Sequence, residues 1–491
     1  MVSIALLYYI ILDQNKSINF KPGVWTKVHA HTRLLLLNKK SHTITMPKIY
    51  CRRNTRHLPI IKGASVMKQY SDWSRDELIK EKEQLSSAFA AHKAKGLSLN
   101  MARGKPDGHQ LNLSMPMLDL VNSSGDCKAQ GGVDCRNYGE LTGIIEAKKL
   151  FGEYLGVSVD EIIVVGSTSL SLMYDCVARA MLTGVLGSER PWGKEEKVKF
   201  LCPVPGYDRH FSICQFLGIE MINIPTGPLG PDMETIEKLV ANDPLIKGMW
   251  CVPKYSNPLG ISYSDETIRR MAALKPAAKD FRIFCDNAYA MHEIYRDTPL
   301  LNPLAACKEA GNPNLFYIFG STNKITFPGA GVGFLAASKE NIAFTAKQLS
   351  MQAISWDKIN MLRHVLFLKD QDGIRSHMKK HQALLRPKFD AVLQTLEREL
   401  TGLGAGEYIK PDGGYFITFI APKGSAKRII ALCKEAGVIM TDAGATHPYG
   451  NDPDDSYIRI APTFPALNEL CSAMEIFCTA ARLATVERAL L

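Results

Sequence analysis

One predicted strand and the turn after it, residues 315–334, limit the possible folds of this chain more than any other stretch. The apolar run at residues 315–319 predicts a β-strand that stops at Gly320, and the glycine-rich turn after it carries Ser321 and Lys324. A sheet presents an amine in this way at the carboxyl end of a strand, where the lysine could form a Schiff base. A solvated surface lysine is the competing interpretation, because lysine is normally exposed.

Two further predicted strands also end in polar residues. The strand at 281–285 runs into Asp286, with Tyr289 three residues later, and the strand at 249–253 gives way to Asn257, whose proline neighbour favours a turn. Ligands of open α/β sheets bind just outside the carboxyl ends of the strands. An amine, a carboxylate, a phenol and an amide gathered there match the needs of pyridoxal phosphate, whose aldehyde, ring nitrogen and phenolic oxygen all require partners.

In their order and spacing, Asn257-Pro258, Asp286-x-x-Tyr289 and Ser321-x-x-Lys324 resemble the signature of fold-type I pyridoxal-phosphate enzymes, specifically the class I aminotransferases. The chain most resembles a divergent bacterial-type subgroup of aspartate aminotransferases. That subgroup is similar also in the segments LNMARGKP, RNYGELTGIIEAKKLFGEYLGV and DDSYIRIAPTFP. The resemblance covers the chain from about Trp73 to its C-terminus.

The resemblance implies an α/β fold with two domains. We expect a large pyridoxal-phosphate-binding domain at residues 119–374, with a mostly parallel seven-stranded sheet flanked by helices. We expect a smaller α+β domain at residues 375–491, which the N-terminal helix and loop at residues 67–118 complete. That helix is predicted to begin after the capping residue Ser74.

The resemblance also implies a role for each polar residue at these strand ends. Lys324 would hold the cofactor as an internal aldimine and then move the Cα proton of the substrate. Asp286 would keep the pyridine nitrogen protonated, while Tyr289 and Asn257 would donate to the phenolic oxygen. Arg459, in the segment DDSYIRIAP, would hold the substrate α-carboxylate, because a planar guanidinium binds a carboxylate through two hydrogen bonds.

The cofactor phosphate is expected at the amino end of a predicted helix. Ser167, Thr168 and Ser169 follow a predicted strand, and a helix N-terminus offers unpaired N–H groups to an anion. An ordinary helix cap is the alternative interpretation. Ser321 is expected to contribute as well, because the family usually has a phosphate-binding arginine where this chain has residues 331–332, glycine and valine.

Two tyrosines complete the cofactor site that the resemblance implies. Tyr207 would stack on the pyridine ring. Tyr138, five residues before Gly143, has the spacing of a tyrosine that reaches the cofactor phosphate of the neighbouring subunit in similar enzymes. This match implies a homodimer with shared active sites. A core tyrosine and a structural Tyr-Gly turn are the competing interpretations.

The expected substrates are an amino acid and a 2-oxo acid, with aspartate as the donor and 2-oxoglutarate as the acceptor. A dicarboxylate needs a second cation besides Arg459, because a buried unpaired carboxylate is costly. Arg103 and Lys105 are candidates, since they flank Gly104 in the loop that lies across the substrate in similar enzymes. Arg136 is a third candidate, and it would act across the dimer interface.

Two other enzyme classes deserve comparison. A pyridoxal-phosphate-dependent carbon–sulfur lyase or a cyclopropane-carboxylate synthase would share these core residues. A nicotinamide dehydrogenase is suggested by the glycines at 329, 331 and 333, which resemble part of a dinucleotide-binding fingerprint. That fingerprint should open a helix, whereas residues 334–338 predict a strand.

The charge distribution argues against nucleic acid as a partner. The formal net charge is +10, but twelve lysines and arginines lie within residues 14–71, which contain no acidic residue. The rest of the chain therefore carries a formal charge of −2, so no basic binding face is expected. Twelve cysteines without metal-ligand spacing predict buried free thiols in a reducing compartment and no metal site.

The leader, residues 1–66, differs in composition from everything that follows. Its apolar run at residues 1–12 is too short for a membrane span and lacks the features of a secretory signal. The basic remainder resembles a mitochondrial transit peptide, although an over-extended gene model with Met46 or Met67 as the true start would explain it equally well. We expect a disordered leader without catalytic residues, in a cytoplasmic or, with a genuine transit peptide, a mitochondrial protein.

Overall fold

The central sheet is built from short apolar runs that alternate with helices. The computed structural model describes residues 68–491, so the predicted leader lies outside the described residues. Within them the strands are β1 (Leu99–Asn100), β2 (Ile162–Val164), β3 (Lys199–Val204), β4 (Glu220–Gly227), β5 (Gly230–Pro231), β6 (Ile246–Cys251), β7 (Arg282–Asp286), β8 (Phe316–Ser321), β9 (Gly333–Ala336), β10 (Glu407–Ile409), β11 (Ile417–Ile420), β12 (Val438–Ile439) and β13 (Tyr457–Ile460).

The largest sheet has the strand order β2-β9-β8-β7-β6-β3-β4-β5. Its central strands β8, β7, β6, β3 and β4 are parallel, while β9 runs antiparallel to both β8 and β2. The predicted mostly parallel α/β fold is therefore confirmed. The predicted number of seven strands is too low by one, because β5 pairs antiparallel with the end of β4 over only two residues. A strand of that length leaves no alternating pattern in the sequence.

Helices connect the strands and cover the sheet. Within the described residues they are α1 (Arg75–Ala94), α2 (Gly108–Asn112), α3 (Ile145–Leu155), α4 (Ser169–Thr183), α5 (Asp208–Phe216), α6 (Met233–Asn242), α7 (Asp265–Ala272), α8 (Pro303–Glu309), α9 (Lys339–Leu349), α10 (Lys358–Leu368), α11 (Gln371–Leu400), α12 (Ala426–Glu435) and α13 (Leu467–Ala489).

Each face of the large sheet packs into its own core. Along β7, Ile283 and Cys285 join one apolar cluster, and Phe284 between them joins the other. This alternation follows from the two-residue period of a strand. A strand that is buried on both faces reads as a continuous apolar run, which is why the sequence shows these strands so clearly.

A third core lies in the C-terminal part of the chain. There β10, β11 and β13 form an antiparallel sheet, and β12 pairs in parallel with β1 from the N-terminal segment. Helix α1 begins with the predicted Ser74 cap, whose side chain accepts from the Glu77 N–H. Leu78 and Leu85 of α1 share this core with residues of α11 and α13. The domain boundaries proposed from the sequence stay a prediction.

Two general features bear on the expected function. No helix among residues 68–491 is long and apolar enough to cross a membrane. The eleven cysteines in the same range are free thiols, as the sequence predicts.

Candidate active site

The carboxyl ends of β6, β7 and β8 meet at one edge of the large sheet, because these strands are parallel neighbours. Asp286 is the last residue of β7, and Ser321 is the last residue of β8. Asn257 follows β6 by six residues. The strand order thus brings together the three segments that sequence analysis selected.

Lys324 lies three residues beyond the end of β8. Its Nζ is 4.7 Å from the centre of the Tyr289 ring. Burial lowers the pKa of Lys324, while the nearby Asp286 carboxylate acts in the opposite direction. A lowered pKa raises the neutral fraction of the amine, which is the form that attacks an aldehyde.

Asp286 is buried and is held by two donors. Its Oδ2 lies 3.2 Å from the His210 Nε2, and its Oδ1 accepts from the Ala288 N–H at 3.2 Å. The imidazole of His210 stacks on the Trp250 indole, with ring centres 4.4 Å apart and an interplanar angle of 6°. The carboxylate is therefore fixed in position by a histidine that is itself fixed.

His210 was missed by the sequence analysis. A buried histidine near the start of a helix is more often a core residue than a functional one. The available signal was its spacing, because it follows Tyr207 by three residues at the beginning of α5. Tyr207 caps this helix, and its ring meets that of His210 edge-on with the centres 5.0 Å apart.

The two phenols of the site are protonated at neutral pH. Burial is the main cause that raises the pKa of both Tyr207 and Tyr289, and the neighbouring Asp286 carboxylate adds to it. Each phenol can therefore donate a hydrogen bond to a ligand oxygen. Asn257 is also buried, and its Oδ1 accepts from Nη1 of Arg459 at 3.3 Å.

Arg459 lies on β13 and reaches this edge of the large sheet from the C-terminal part of the chain. Its Nη1 donates to Asp208 Oδ1 at 2.9 Å, and its Nη2 donates to Thr441 Oγ1 at 3.3 Å. The guanidinium packs 4.8 Å from the centre of the Phe416 ring. Its Nε is buried and has no hydrogen-bond partner within the described residues. Arg459 thus has one carboxylate partner and an unused donor.

The hydroxyl residues 167–169 lie at the amino end of α4. Thr168 caps the helix through its Oγ1, which accepts from the Ser171 N–H at 3.0 Å. Ser169 is the first helical residue and is buried, whereas Ser167 is exposed. Thr168 therefore makes the ordinary cap that the sequence allowed.

The loop after Lys324 packs directly on this helix N-terminus. A Cβ atom at Gly331 would lie 2.9 Å from the Ser167 carbonyl oxygen and 2.7 Å from Nδ2 of Asn323. There is consequently no space for a side chain at Gly331, and Val332 beside it is buried. An arginine side chain at residue 331 would therefore clash with Asn323 and the start of α4.

The N-terminal loop approaches Arg459 through a shared aromatic ring. A Cβ atom at Gly104 would lie 2.5 Å from the Phe416 ring, which also packs against Arg459. Lys105 places its Nζ 3.9 Å from the centre of the Phe464 ring, while Arg103 is exposed. Arg103 and Lys105 therefore flank Gly104, whose backbone packs against the same Phe416 ring as Arg459.

Arg136 and Tyr138 lie on a loop whose side chains do not reach the Lys324 site of the same chain. Arg136 forms two hydrogen bonds with Asp134, at 2.7 and 2.9 Å. The side chain of Tyr138 is 76% exposed and makes no hydrogen bond within the described residues. The carbonyl groups on either side of Tyr138 accept from the buried amine of Lys358. The structure thus presents Tyr138 to solvent and does not bring it to the Lys324 site of its own chain.

Comparison with known proteins gives a consistent result. Residues 73–490 match the family model described as aspartate amino-transferase. An aspartate aminotransferase of Corynebacterium glutamicum is 41% identical over 406 residues, which cover 82% of this chain and 94% of that protein.

Solved structures agree with the sequence comparison. The crystal structure of an aspartate transaminase from Corynebacterium glutamicum superposes with a TM-score of 0.84 at 39% identity, covering 86% of this chain and all of that one. An α-aminoadipate aminotransferase from Thermus thermophilus, complexed with N-(5′-phosphopyridoxyl)-L-leucine, has a TM-score of 0.63 at 19% identity. It covers 84% of this chain and 97% of its own, and it shares the fold.

Proposed function

This chain belongs to the aspartate aminotransferase family, and we propose that it transfers the amino group of aspartate to 2-oxoglutarate with pyridoxal 5′-phosphate held at Lys324. The observation that carries this proposal is the arrangement of Lys324 and Asp286 on neighbouring strand ends, where the two groups form no ion pair. An amine and a carboxylate that remain free of each other can bind opposite ends of one ring, the aldehyde at one end and the ring nitrogen at the other.

The other residues of the site fit this cofactor. The hydroxyls of Ser167, Ser169 and Ser321, with the N–H groups at the start of α4, would hold the phosphate. Tyr207 would cover one face of the ring. When bound, the cofactor supplies an electron sink for the bonds at the substrate Cα. The exposed Tyr138 would complete the phosphate site of a second copy in a homodimer.

Protons are handled by the residues of the chain itself. Lys324, with its lowered pKa, takes the proton from the substrate Cα and returns it on the product side. His210 holds Asp286 in place, where its carboxylate would keep the ring nitrogen of the cofactor protonated. Tyr289 and Asn257 would donate hydrogen bonds to the phenolic oxygen.

Arg459 would bind the substrate α-carboxylate, since its Nε is a buried donor in need of an acceptor. The distal carboxylate of aspartate requires another cation. Arg103 and Lys105 are favoured, because their loop contacts the Phe416 ring beside Arg459. Arg136 is less suited, because Asp134 already occupies its guanidinium within the same chain.

The substrate assignment is tested by adding single amino acids to the cofactor-loaded enzyme and following the loss of its visible absorbance. Aspartate and glutamate should convert the cofactor to its amino form, and 2-oxoglutarate should reverse the change. Three single variants test which candidate cation binds the distal carboxylate: Arg103→Ala, Lys105→Ala and Arg136→Ala. One of the first two should lower kcat/KM for aspartate at least tenfold more than for alanine, the effect of a lost charged hydrogen bond.

Three other outcomes would change the proposal. A wild-type preference for alanine or an aromatic amino acid would overturn the aspartate assignment but keep the aminotransferase. Equal losses for both substrates in all three variants would place the distal carboxylate elsewhere. Release of ammonia or sulfide in place of amino transfer would favour the lyase alternative.

A further inference from the structure

Four buried histidines surround the loop that carries Lys324, and none of them takes part in the chemistry described above. They come from three different segments of the chain and are 5% exposed or less: His292, His364, His377 and His381. Burial lowers the pKa of each, to about 3 in His292 and to about 4 in His364 and His381. All four are therefore neutral, and each offers one donor and one acceptor nitrogen.

His364, on α10, binds the hydroxyl groups on both sides of the lysine. Its Nδ1 lies 2.8 Å from the Asn360 carbonyl oxygen, which can only accept, so Nδ1 carries the proton. Its Nε2 must therefore be the acceptor. Thr322 Oγ1 lies 3.0 Å and Thr326 Oγ1 lies 2.8 Å from that nitrogen. One imidazole thus holds the residues two positions before and two positions after Lys324.

His292 holds the main chain of Lys324 itself. Its Nε2 lies 3.1 Å from the Lys324 carbonyl oxygen and must be the donor. The N–H of His292 donates to the Tyr289 carbonyl oxygen at 2.9 Å, so His292 belongs to the segment that follows Asp286. The lysine backbone is thereby tied to the segment that follows the strand end at Asp286.

His377 and His381, one turn apart on α11, hold the next residue. His377 Nε2 donates to the Ile325 carbonyl oxygen at 2.7 Å. His381 accepts from Gln110 through Nδ1, and its ring packs against that of His377 with the centres 4.8 Å apart. Residues from α10, α11 and the segment after β7 therefore converge on residues 322–326.

We propose that His364 and His292 are positioning residues that fix the main chain of Lys324 from both sides and so aim its amine. This inference rests on the proposed function of Lys324. A lysine side chain has four rotatable bonds and is ordered only as well as its backbone anchor. A displacement of about 1 Å at a reacting group can cost roughly 100-fold in rate. Rigid support of the reactive group is therefore required for efficient proton transfer.

The His364 contact is tested with His364→Leu, which removes the acceptor, and with Thr326→Val, which removes one of the hydroxyl groups that it binds. Thr395→Val is the matched control, because its buried hydroxyl donates to the Ala391 carbonyl oxygen on α11, away from the loop. His364→Gln is the conservative variant, since its Oε1 can take the place of Nε2 as acceptor.

Two measurements do not depend on turnover. In the cofactor-free protein, hydrogen exchange of residues 322–327 should become faster in His364→Leu and Thr326→Val. The dissociation constant for pyridoxal phosphate should rise about fivefold in Thr326→Val, the effect of one lost hydrogen bond, and at least as much in His364→Leu. In the loaded enzyme, kcat should fall while KM for aspartate stays within twofold of its original value. His364→Gln should restore most of each property, and Thr395→Val should match the wild type.

A double-mutant cycle separates this contact from general destabilisation. His364→Leu removes the contacts with both Thr322 and Thr326, so it includes the contact that Thr326→Val removes. The double variant should therefore bind the cofactor no more weakly than His364→Leu alone. Additive losses, or single variants that behave like Thr395→Val, would overturn the role of His364. Should His364→Leu fail to fold, Thr326→Val and His364→Gln still decide the question.

The His292 contact is tested in the same way with His292→Phe and His292→Gln, whose Nε2 can still donate to the Lys324 carbonyl oxygen. Faster exchange and weaker cofactor binding are expected only in His292→Phe, and identical behaviour of the two variants would overturn this half of the proposal.

Failure of the proposed function and failure of the positioning role give different results for cofactor binding. If the wild type does not bind pyridoxal phosphate, the proposed function is wrong. If it binds and the histidine variants bind equally well, only the positioning role is wrong.

Discussion

At the scale of single residues, the site depends on one amine, that of Lys324, whose pKa is lowered by burial. The pKa of Lys324 is lowered by desolvation, while Asp286 remains close enough to act against that shift. A more exposed lysine would have a higher pKa, and its smaller neutral fraction would make it a poorer nucleophile and base. The edge of the sheet thus supplies the position of the amine and the burial that lowers its pKa.

Lys324→Ala should abolish amino transfer while the protein still folds, because no other amine lies at this strand end. The half-reaction with aspartate, followed by absorbance, measures the loss, and thermal unfolding of the cofactor-free protein checks the fold. Lys347→Ala, at an exposed position on α9, serves as the control. Undiminished turnover in Lys324→Ala would end the mechanism proposed here.

Asp286→Ala should slow proton transfer about 100-fold or more, because the ring nitrogen loses the charge that stabilises it. The cofactor should remain bound through Lys324 and the phosphate site. Stopped-flow absorbance of the aspartate half-reaction gives the rate. A near-normal rate would show that Asp286 is not the group that stabilises the ring nitrogen.

At the scale of elements, the loop that follows Lys324 packs closely against the start of α4. A Cβ atom added at Gly331 would lie only 2.9 Å from the Ser167 carbonyl oxygen, so the loop backbone approaches the helix start closely. Under the proposed function, the hydroxyls of Ser167, Ser169 and Ser321 with the helix N–H groups would hold the phosphate.

Gly331→Ala should therefore lower the free energy of unfolding by about 1–3 kcal/mol and weaken cofactor binding, since the added methyl must displace Asn323 or the helix start. Gly329→Ala is a close control two residues earlier, where an added Cβ meets no atom within 4 Å. Chemical denaturation of the cofactor-free proteins compares the two, and equal stability of both variants would contradict the packing argument.

The packing of α10 and α11 around buried neutral histidines predicts sensitivity to acid. The pKa of His364 and of His381 is lowered from 6.5 to about 4, and that of His292 to about 3. The unfolded chain binds these protons below about pH 6.5 and the native chain does not. The free energy of unfolding should therefore decrease as pH falls from 6.5 to 4, by about 1.4 kcal/mol per pH unit for each histidine.

Urea denaturation of the cofactor-free protein at pH 7 and at pH 5 measures this slope. Protonation of carboxylates also weakens the native state in acid, so His364→Gln is needed to isolate one histidine. A slope that is identical in the wild type and in His364→Gln would show that His364 is not held neutral by the fold.

At the scale of the whole molecule, the N-terminal helix is part of the folded protein, and so is Tyr70 just before it, which is buried in the same core. The family match begins at residue 73, and α1 shares its core with α11 and α13. The composition of residues 1–66, basic and free of acids over most of its length, gives no sustained amphipathic pattern.

Removal of residues 1–66 should thus leave the melting temperature and the specific activity unchanged. Removal of residues 1–95 is the informative control, because it deletes the buried side chains Leu78, Leu85 and Phe89 and should yield insoluble protein. Loss of soluble active protein in the shorter deletion would show that the leader has a structural role.

The sequence alone determined the fold class and the identity of the residues at three strand ends. Buried parallel strands leave uninterrupted apolar runs, and the polar residue that ends each run is visible without any knowledge of its neighbours. Asn257, Asp286, Tyr289 and Lys324 could be selected on that basis. The family resemblance then gave them expected roles.

Only the tertiary structure decided what supports those residues. His210 reaches Asp286 across 76 positions of sequence, and His364 reaches Thr322 across 42. Asp208 and Arg459 pair across 251 positions. A buried histidine or aspartate has the same local pattern whether it is a core residue or a partner of a functional group. Its role depends on which distant segment the packing of strands and helices brings against it, and that information is absent from any local stretch of the chain.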